Sequence, residues 1–151
     1  MKLSSQQVLN WAKLAYDQGE IPDLSGHDLS SVALYRANLP GADLSGTDLP
    51  QASLAYANLR GANLSRAAMS QVELSGADLR EADLRQADLF QANLQRADLR
   101  GADLRDAYLG GTDLWQAQLG GADLRGARYD EYTKWSVDFD PAAAGAVAPR
   151  L

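Results

Sequence analysis

The sequence predicts an all-β solenoid, a polygonal coil that turns once every five residues, and three observations carry that reading. Leucine recurs on a five-residue step from Leu24 to Leu124, broken only by Met69 and closed by Tyr129, which makes 22 consecutive units without an insertion. A small residue stands two places before each, mostly alanine (Ala37, Ala42, Ala52, Ala57), with Thr47, Thr112, Val32 and Val72 as substitutes; only Pro22 and His27 depart from it. Two places after the leucine, glycine is frequent (Gly41, Gly46, Gly61, Gly101, Gly121), which suits a corner whose φ lies above zero.

A period of five excludes the common alternatives. On an α-helix each step would advance about 140°, smearing the leucines around the circumference. On a continuous strand five is odd, so successive leucines would alternate faces. The chain must therefore turn within every unit. With the leucine as position i, positions i−2 and i point inward, while i−1, i+1 and i+2 face water. Position i−1 is largely Asp or Asn (Asp43, Asp83, Asn93, Asp103), in keeping with an outward slot. The arginines at i+1 (Arg60, Arg80, Arg85, Arg100, Arg105, Arg125) give four pairs at a spacing of twenty, three at twenty-five and one at fifteen, so twenty residues per coil is favoured.

Tandem A(D/N)LXX units over residues 22–131 resemble the pentapeptide-repeat family. That resemblance implies a right-handed quadrilateral β-helix with four units per coil. At the ~4.8 Å spacing of adjacent strands, such a rod would be about 26 Å long.

The flanks read as caps, which a solenoid needs over its open apolar ends. Residues 1–20 are expected to form an N-terminal helical cap, 21–131 the β-helix, and 132–151 a C-terminal cap and tail. Ser4 or Ser5 can cap a helix running to about Gln18, with Val8, Trp11, Ala12 and Ala15 on one face and Gly19 as its stop. Tyr129, Tyr132, Trp135 and Phe139 are suited to covering the last leucine layer, and Ala148 to Leu151 reads as frayed. This tail is similar to the C-terminal ends of cyanobacterial pentapeptide-repeat proteins, with Ser136 where those carry Pro and Asp138 where they carry Gly.

The chain has 151 residues, no cysteine and a formal charge of −6, so a thiol nucleophile, a Cys metal site and a disulfide framework are excluded. The acidic balance argues against direct nucleic-acid binding. No apolar run approaches a membrane span and no secretory h-region follows Lys2, so a cytoplasmic, non-membrane protein is expected. The single histidine, His27, has no partners at triad or metal-ligand spacing and reads as a cap residue bonded to the entering chain. No catalytic, cofactor or metal site is assigned, and the chain reads as non-enzymatic.

What remains is surface. Phe90 and Tyr108 fall on one face in successive coils with Gly110 beside Phe90, and Trp115 follows on the next face; outward aromatics are enriched at interfaces. Phe90 and Tyr108 are read as outward slots, replaceable by Ser at about 1 kcal/mol or less. Tyr35 and Tyr56 form a looser group. Arg80 and Arg100, and Arg85, Arg105 and Arg125, form two columns, each arginine paired with the Asp two residues before it. The reading is a rigid protein-protein interaction scaffold with a protein partner of unspecified identity, or a second copy. The alternative, implied by relatives within the family, is an acidic mimic of DNA that binds gyrase or another topoisomerase. Residues 72–131 carry twelve acids and seven bases against four and three in 22–71, but those seven bases interrupt any phosphate-like field.

Overall fold

The structure, a computed structural model, describes residues 1–149; Arg150 and Leu151, part of the tail read as frayed, lie outside the described residues. Throughout the repeats, parallel bridges join residues twenty apart, from Asp23 with Asp43 to Tyr108 with Arg128. The coil is therefore four-sided, with faces named here by their first leucine: Leu24, Leu29, Leu34 and Leu39. Leucines at i and alanines at i−2 fill the interior, nearly all below 2% exposed. Thr47 and Thr112 enter the same column because their hydroxyls are satisfied, donating to the carbonyls of Leu44 (2.7 Å) and Leu89 (2.8 Å).

Hydrogen bonding explains the five-residue unit. In the unit centred on Leu84, Leu84 N–H donates to Asp103 C=O (2.7 Å) and Gln86 N–H to Arg105 C=O (3.0 Å), both one coil on. Ala87 N–H closes the corner on Leu84 C=O (3.1 Å). Arg85 N–H has no backbone partner; it donates to the Asp83 carboxylate (3.1 Å). An Asp or Asn at i−1 thus serves the backbone as well as the surface, completing its own turn as an Asx motif. Where i+1 is proline, at Pro40 and Pro50, there is no N–H to satisfy.

Every corner residue at i+2 from Gly26 to Gly126 has positive φ, as the third residue of a type II turn requires. Glycine fills some of these corners, but Ser31, Arg36, Gln51, Tyr56, Arg96 and others adopt φ of 54–60°. None of the corner residues is β-branched or proline, the types for which this region is least accessible.

α1 (Ser5–Asp17) lies over the first coil with Val8, Ala12 and Ala15 buried. Ser4 is its N-cap in a reciprocal capping box with Gln7, and Gly19 at φ +72° ends it. Trp11, expected on the buried face, is 38% exposed and set edge-to-face on His27 with ring centroids 5.3 Å apart. His27 Nδ1 bonds the carbonyls of Leu24 (3.2 Å) and Ser25 (3.0 Å) in its own turn, not the entering chain. Ahead of the helix, Lys2 bridges Asp28 and Leu3 is buried, adding a rung above the Leu29 face.

At the other end the register shifts by one: Lys134, not residue 133, bridges Asp113. Trp135 packs edge-to-face on Tyr129 (5.4 Å) and stacks on Phe139 (5.3 Å) beneath the last layer. Tyr132, expected in that cover, is 71% exposed; it sits in the Asp130 turn, its N–H held by the Asp130 carboxylate, and points away. Asp138 has φ +65°. Ser136 uses its hydroxyl on the Leu114 and Ala117 carbonyls (2.9 and 2.8 Å). The chain then returns so that Val147 bridges Arg128. No helix among the described residues is long and apolar enough to cross a membrane.

Candidate functional site

The two arginine columns form as charge ladders. On the Leu39 face Arg80 grips Asp78 (2.6 Å) and leans toward Asp98 (3.7 Å), which Arg100 grips in turn (2.6 Å). On the Leu24 face Arg85, Arg105 and Arg125 each hold the Asp two residues before them at 2.6 Å, and Arg85 and Arg105 also reach Asp103 and Asp123 one coil on (3.7 and 3.8 Å). The guanidinium hydrogen bond is the main cause holding Asp78, Asp83, Asp98, Asp103 and Asp123 below the usual carboxylate range, Asp123 down to about 2. These columns are internally neutralised. They offer a partner little unspent charge.

The aromatic residues divide between two faces. On the Leu29 face the rings of Phe90 and Tyr108 stack with centroids 6.0 Å apart and planes 10° from parallel. Arg128, twenty residues beyond Tyr108, lies over the same tyrosine at 5.4 Å, so the column runs Phe90–Tyr108–Arg128. Gly110 is occupied by Tyr108 and not by Phe90: a β-carbon there would meet the Tyr108 hydroxyl at 2.5 Å. Tyr108 is accordingly half-buried, while Phe90 remains 37% exposed. This corrects the expectation that both occupy freely replaceable outward slots.

The column ends at a groove of about 450 Å³ lined by Tyr108, Arg128, Tyr129, Asp130, Val147, Ala148 and Pro149. Burial alone would raise the Asp130 carboxyl, but bonds from the N–H groups of Gly111 (2.9 Å) and Tyr132 (3.0 Å) and from Thr133 outweigh it and lower it. Asp130 is thereby a fixed anion at the groove's rim.

Trp115 stands apart, on the Leu34 face, where Arg96 covers it at 5.6 Å. Tyr35 shares that face, and Tyr56 lies at its corner. These two tyrosines are not a loose group: their rings meet edge-to-face at 5.8 Å, with the Arg36 guanidinium 5.3 and 6.0 Å from their centroids. Sequence reading passed over Arg36, Arg96 and Arg128, although a twenty-residue alignment places Arg36 above Tyr56 and Arg128 below Tyr108. Val147 had no such signal, because the returning tail is not periodic.

Comparison with known proteins agrees with this geometry. The family model described as Pentapeptide repeats (8 copies) matches residues 28–66, 67–106 and 102–128. Rfr23, a pentapeptide repeat protein from the cyanobacterium Cyanothece 51142, is 26% identical over 87% of this chain and 99% of its own, with a TM-score of 0.58. The pentapeptide repeat protein alr5209 from Nostoc Pcc 7120 is 35% identical over 94% and 95%, with a TM-score of 0.40. A form of QnrB1, a plasmid-mediated fluoroquinolone resistance protein, is 22% identical over 83% of each chain with a TM-score of 0.50, a likeness of fold. No curated protein matches. The fold is a right-handed quadrilateral β-helix with a short helix at its N-terminal end.

Proposed function

The chain belongs to the pentapeptide-repeat family, and from that premise we propose that it is a non-enzymatic scaffold whose Leu29 face docks a protein partner. Pentapeptide-repeat proteins are generally structural or interaction proteins. The observation that carries the proposal is the Phe90–Tyr108–Arg128 column beside the Tyr129–Val147–Pro149 groove. It combines an exposed ring, a cation held against an aromatic and an adjoining apolar recess, the composition from which interface anchors are drawn. Its backing is rigid, since the backbone behind it is a continuous parallel ladder over a packed leucine column. A partner meeting it would lose little to reorganisation of this chain.

Imitation of duplex DNA toward gyrase is the weaker reading. A mimic needs rows of unspent negative charge, whereas Asp78, Asp83, Asp98, Asp103 and Asp123 are each closed by an arginine at 2.6 Å. The deciding experiment is partner capture with the whole chain and with Phe90→Ser, alongside a gyrase supercoiling assay. Loss of the captured protein by Phe90→Ser at a melting temperature within a few degrees of the parent, with gyrase unaffected, is the expected result. Equal capture by both proteins would overturn the Leu29-face assignment, and dose-dependent gyrase inhibition would reverse the order of the two readings.

A further inference from the structure

We propose that the Leu34 face is a second docking site, specific for an extended acidic peptide segment of a partner with two carboxylates four residues apart. This rests on the interaction-scaffold reading and concerns a different face.

Among the described residues, Arg36, Arg66, Arg96 and Arg128 are the arginines with no carboxylate in ion-pair range; Arg60, Arg80, Arg85, Arg100, Arg105 and Arg125 all have one. Two of those four, Arg36 and Arg96, occupy the same corner of the coil, three coils apart, and both are exposed. In a chain of net charge −6, this edge carries unspent positive charge at two fixed points.

Aromatic rings hold both cations. Arg36 lies against Tyr35 and Tyr56, and Arg96 lies against Trp115 with its Nε donating to Gln116 (3.0 Å). A guanidinium that spends its flat face on a ring keeps its remaining edge donors in the plane, where a carboxylate binds. The rings are also the most exposed aromatics of the repeats: Tyr35 is 55%, Tyr56 53% and Trp115 41% exposed. Between the two guanidinium sites the floor is low. The Tyr56 ring lies flat over Gly76, and Ala55 beneath Tyr35 is buried.

Spacing sets the ligand. Three coils at ~4.8 Å separate the corner positions of Arg36 and Arg96 by about 14 Å, which an extended chain at ~3.4 Å per residue covers in four residues. The residue midway would rest on the Tyr56 ring, a surface suited to proline or another apolar side chain. The face's own acids are already committed. Glu73 accepts from Ser75 N–H and Asn93, and Asp113 from Trp115 N–H, Gln95 and Lys134. A nucleic acid strand is disfavoured, because its continuous phosphate row would meet only two isolated cations along this edge of a chain of net charge −6.

Two substitutions isolate the site. Arg36→Gln and Arg96→Gln keep a residue type that the corner already accepts, since Gln51, Gln71, Gln86, Gln91 and Gln116 hold the same positive φ. Fluorescence anisotropy at low salt would use a labelled synthetic peptide with two glutamates four residues apart around a central proline, uncharged elsewhere. Saturable binding, weakened tenfold or more by either substitution and by Glu→Gln in the peptide, is expected. A peptide with its glutamates two apart should bind no better than one with a single glutamate. Absence of saturable binding, or binding indifferent to Arg36→Gln and Arg96→Gln, would overturn the site. Tighter, arginine-dependent binding of a single-stranded oligonucleotide would replace the peptide assignment with nucleic acid. Phe90→Ser serves as the parallel control: a Leu34-face failure with Phe90-dependent partner capture intact sinks this proposal alone, whereas loss of both sinks the scaffold reading.

Discussion

The ring of Tyr56 lies on the bare backbone of Gly76 one coil below, so closely that a β-carbon at Gly76 would stand 2.5 Å from Tyr56 Cε1. Gly61 shares the corner conformation, φ +66° against +64°, but a β-carbon there would meet nothing within 4 Å. Replacement of each by alanine therefore separates two costs. Gly61→Ala is expected to cost about 1 kcal/mol, because the left-handed penalty of ~1–2 kcal/mol exceeds what a less flexible unfolded chain returns. Gly76→Ala must also lift the Tyr56 ring, breaking its edge contact with Tyr35. Thermal melts should rank Gly76→Ala below Gly61→Ala, and the ring-current shifts of Tyr35 and Tyr56 in proton spectra should collapse only in the former. Equal melts and unchanged shifts would mean the ring does not rest there.

Asp88 tests the backbone role of position i−1. Its carboxylate accepts the Phe90 N–H at 3.0 Å, and no ion pair engages it among the described residues. Asp88→Asn retains an acceptor in the same place and should fall within a few tenths of a kcal/mol of the parent. Asp88→Ala leaves the turn N–H to water and should cost about 1 kcal/mol, the net value of one such bond. Urea midpoints at unchanged m-value are the measurement. If asparagine is as costly as alanine, charge and not hydrogen bonding selects this residue.

This backbone role marks the limit of what could be read from composition. The five-residue step of Leu24 to Leu124 dictates a coil, because neither helix nor strand can keep those leucines together, and the paired Asp and Arg of residues 78–125 follow from their two-residue spacing. Asp at i−1 could be read only as an outward charge, since its bond to the i+1 N–H exists only once the corner geometry does. Tyr108 likewise looks outward in the repeat, and is half-buried because Gly110 leaves room for its ring. Lys2 and Leu3, and Val147 at the other end, extend the ladder outside the periodic register, where no repeat pattern announces them.

The charge ladders make a pH signature. Asp78, Asp83, Asp98, Asp103 and Asp123 are held below the usual carboxylate range chiefly by their arginine hydrogen bonds, Asp123 at about 2. A carboxylate whose pKa is lower folded than unfolded contributes stability that is complete above its unfolded value of ~3.9 and lost as pH falls through the folded value. The melting temperature should therefore hold level down to about pH 5 and fall between about pH 4 and 2. Arg105 serves both Asp103 and Asp123, so Arg105→Gln should flatten that fall, and added salt should flatten it modestly because the pairs are partly exposed. A parent protein whose melting temperature is level from pH 5 to 2 would show the ladders to be energetically idle.

Phe90 and Tyr108 share one stack but not one environment. Phe90 is 37% exposed with one ring neighbour, whereas Tyr108 is half-buried between Phe90 and Arg128 with its hydroxyl over Gly110. Phe90→Ser should behave as a surface substitution, costing roughly 1 kcal/mol or less. Tyr108→Ser loses the stacked pair, worth about 0.5–1.5 kcal/mol, and also uncovers the Gly110 backbone, so about 2 kcal/mol is expected in sum. The double variant should fall short of the sum of the singles by roughly the pair's own coupling. Denaturant melts of the four proteins decide this: additive losses would mean that the rings do not support each other, and a Tyr108→Ser protein as stable as the parent would mean that the column is not packed. The asymmetry selects Phe90→Ser for the binding test, because lost capture there cannot be blamed on a loosened coil.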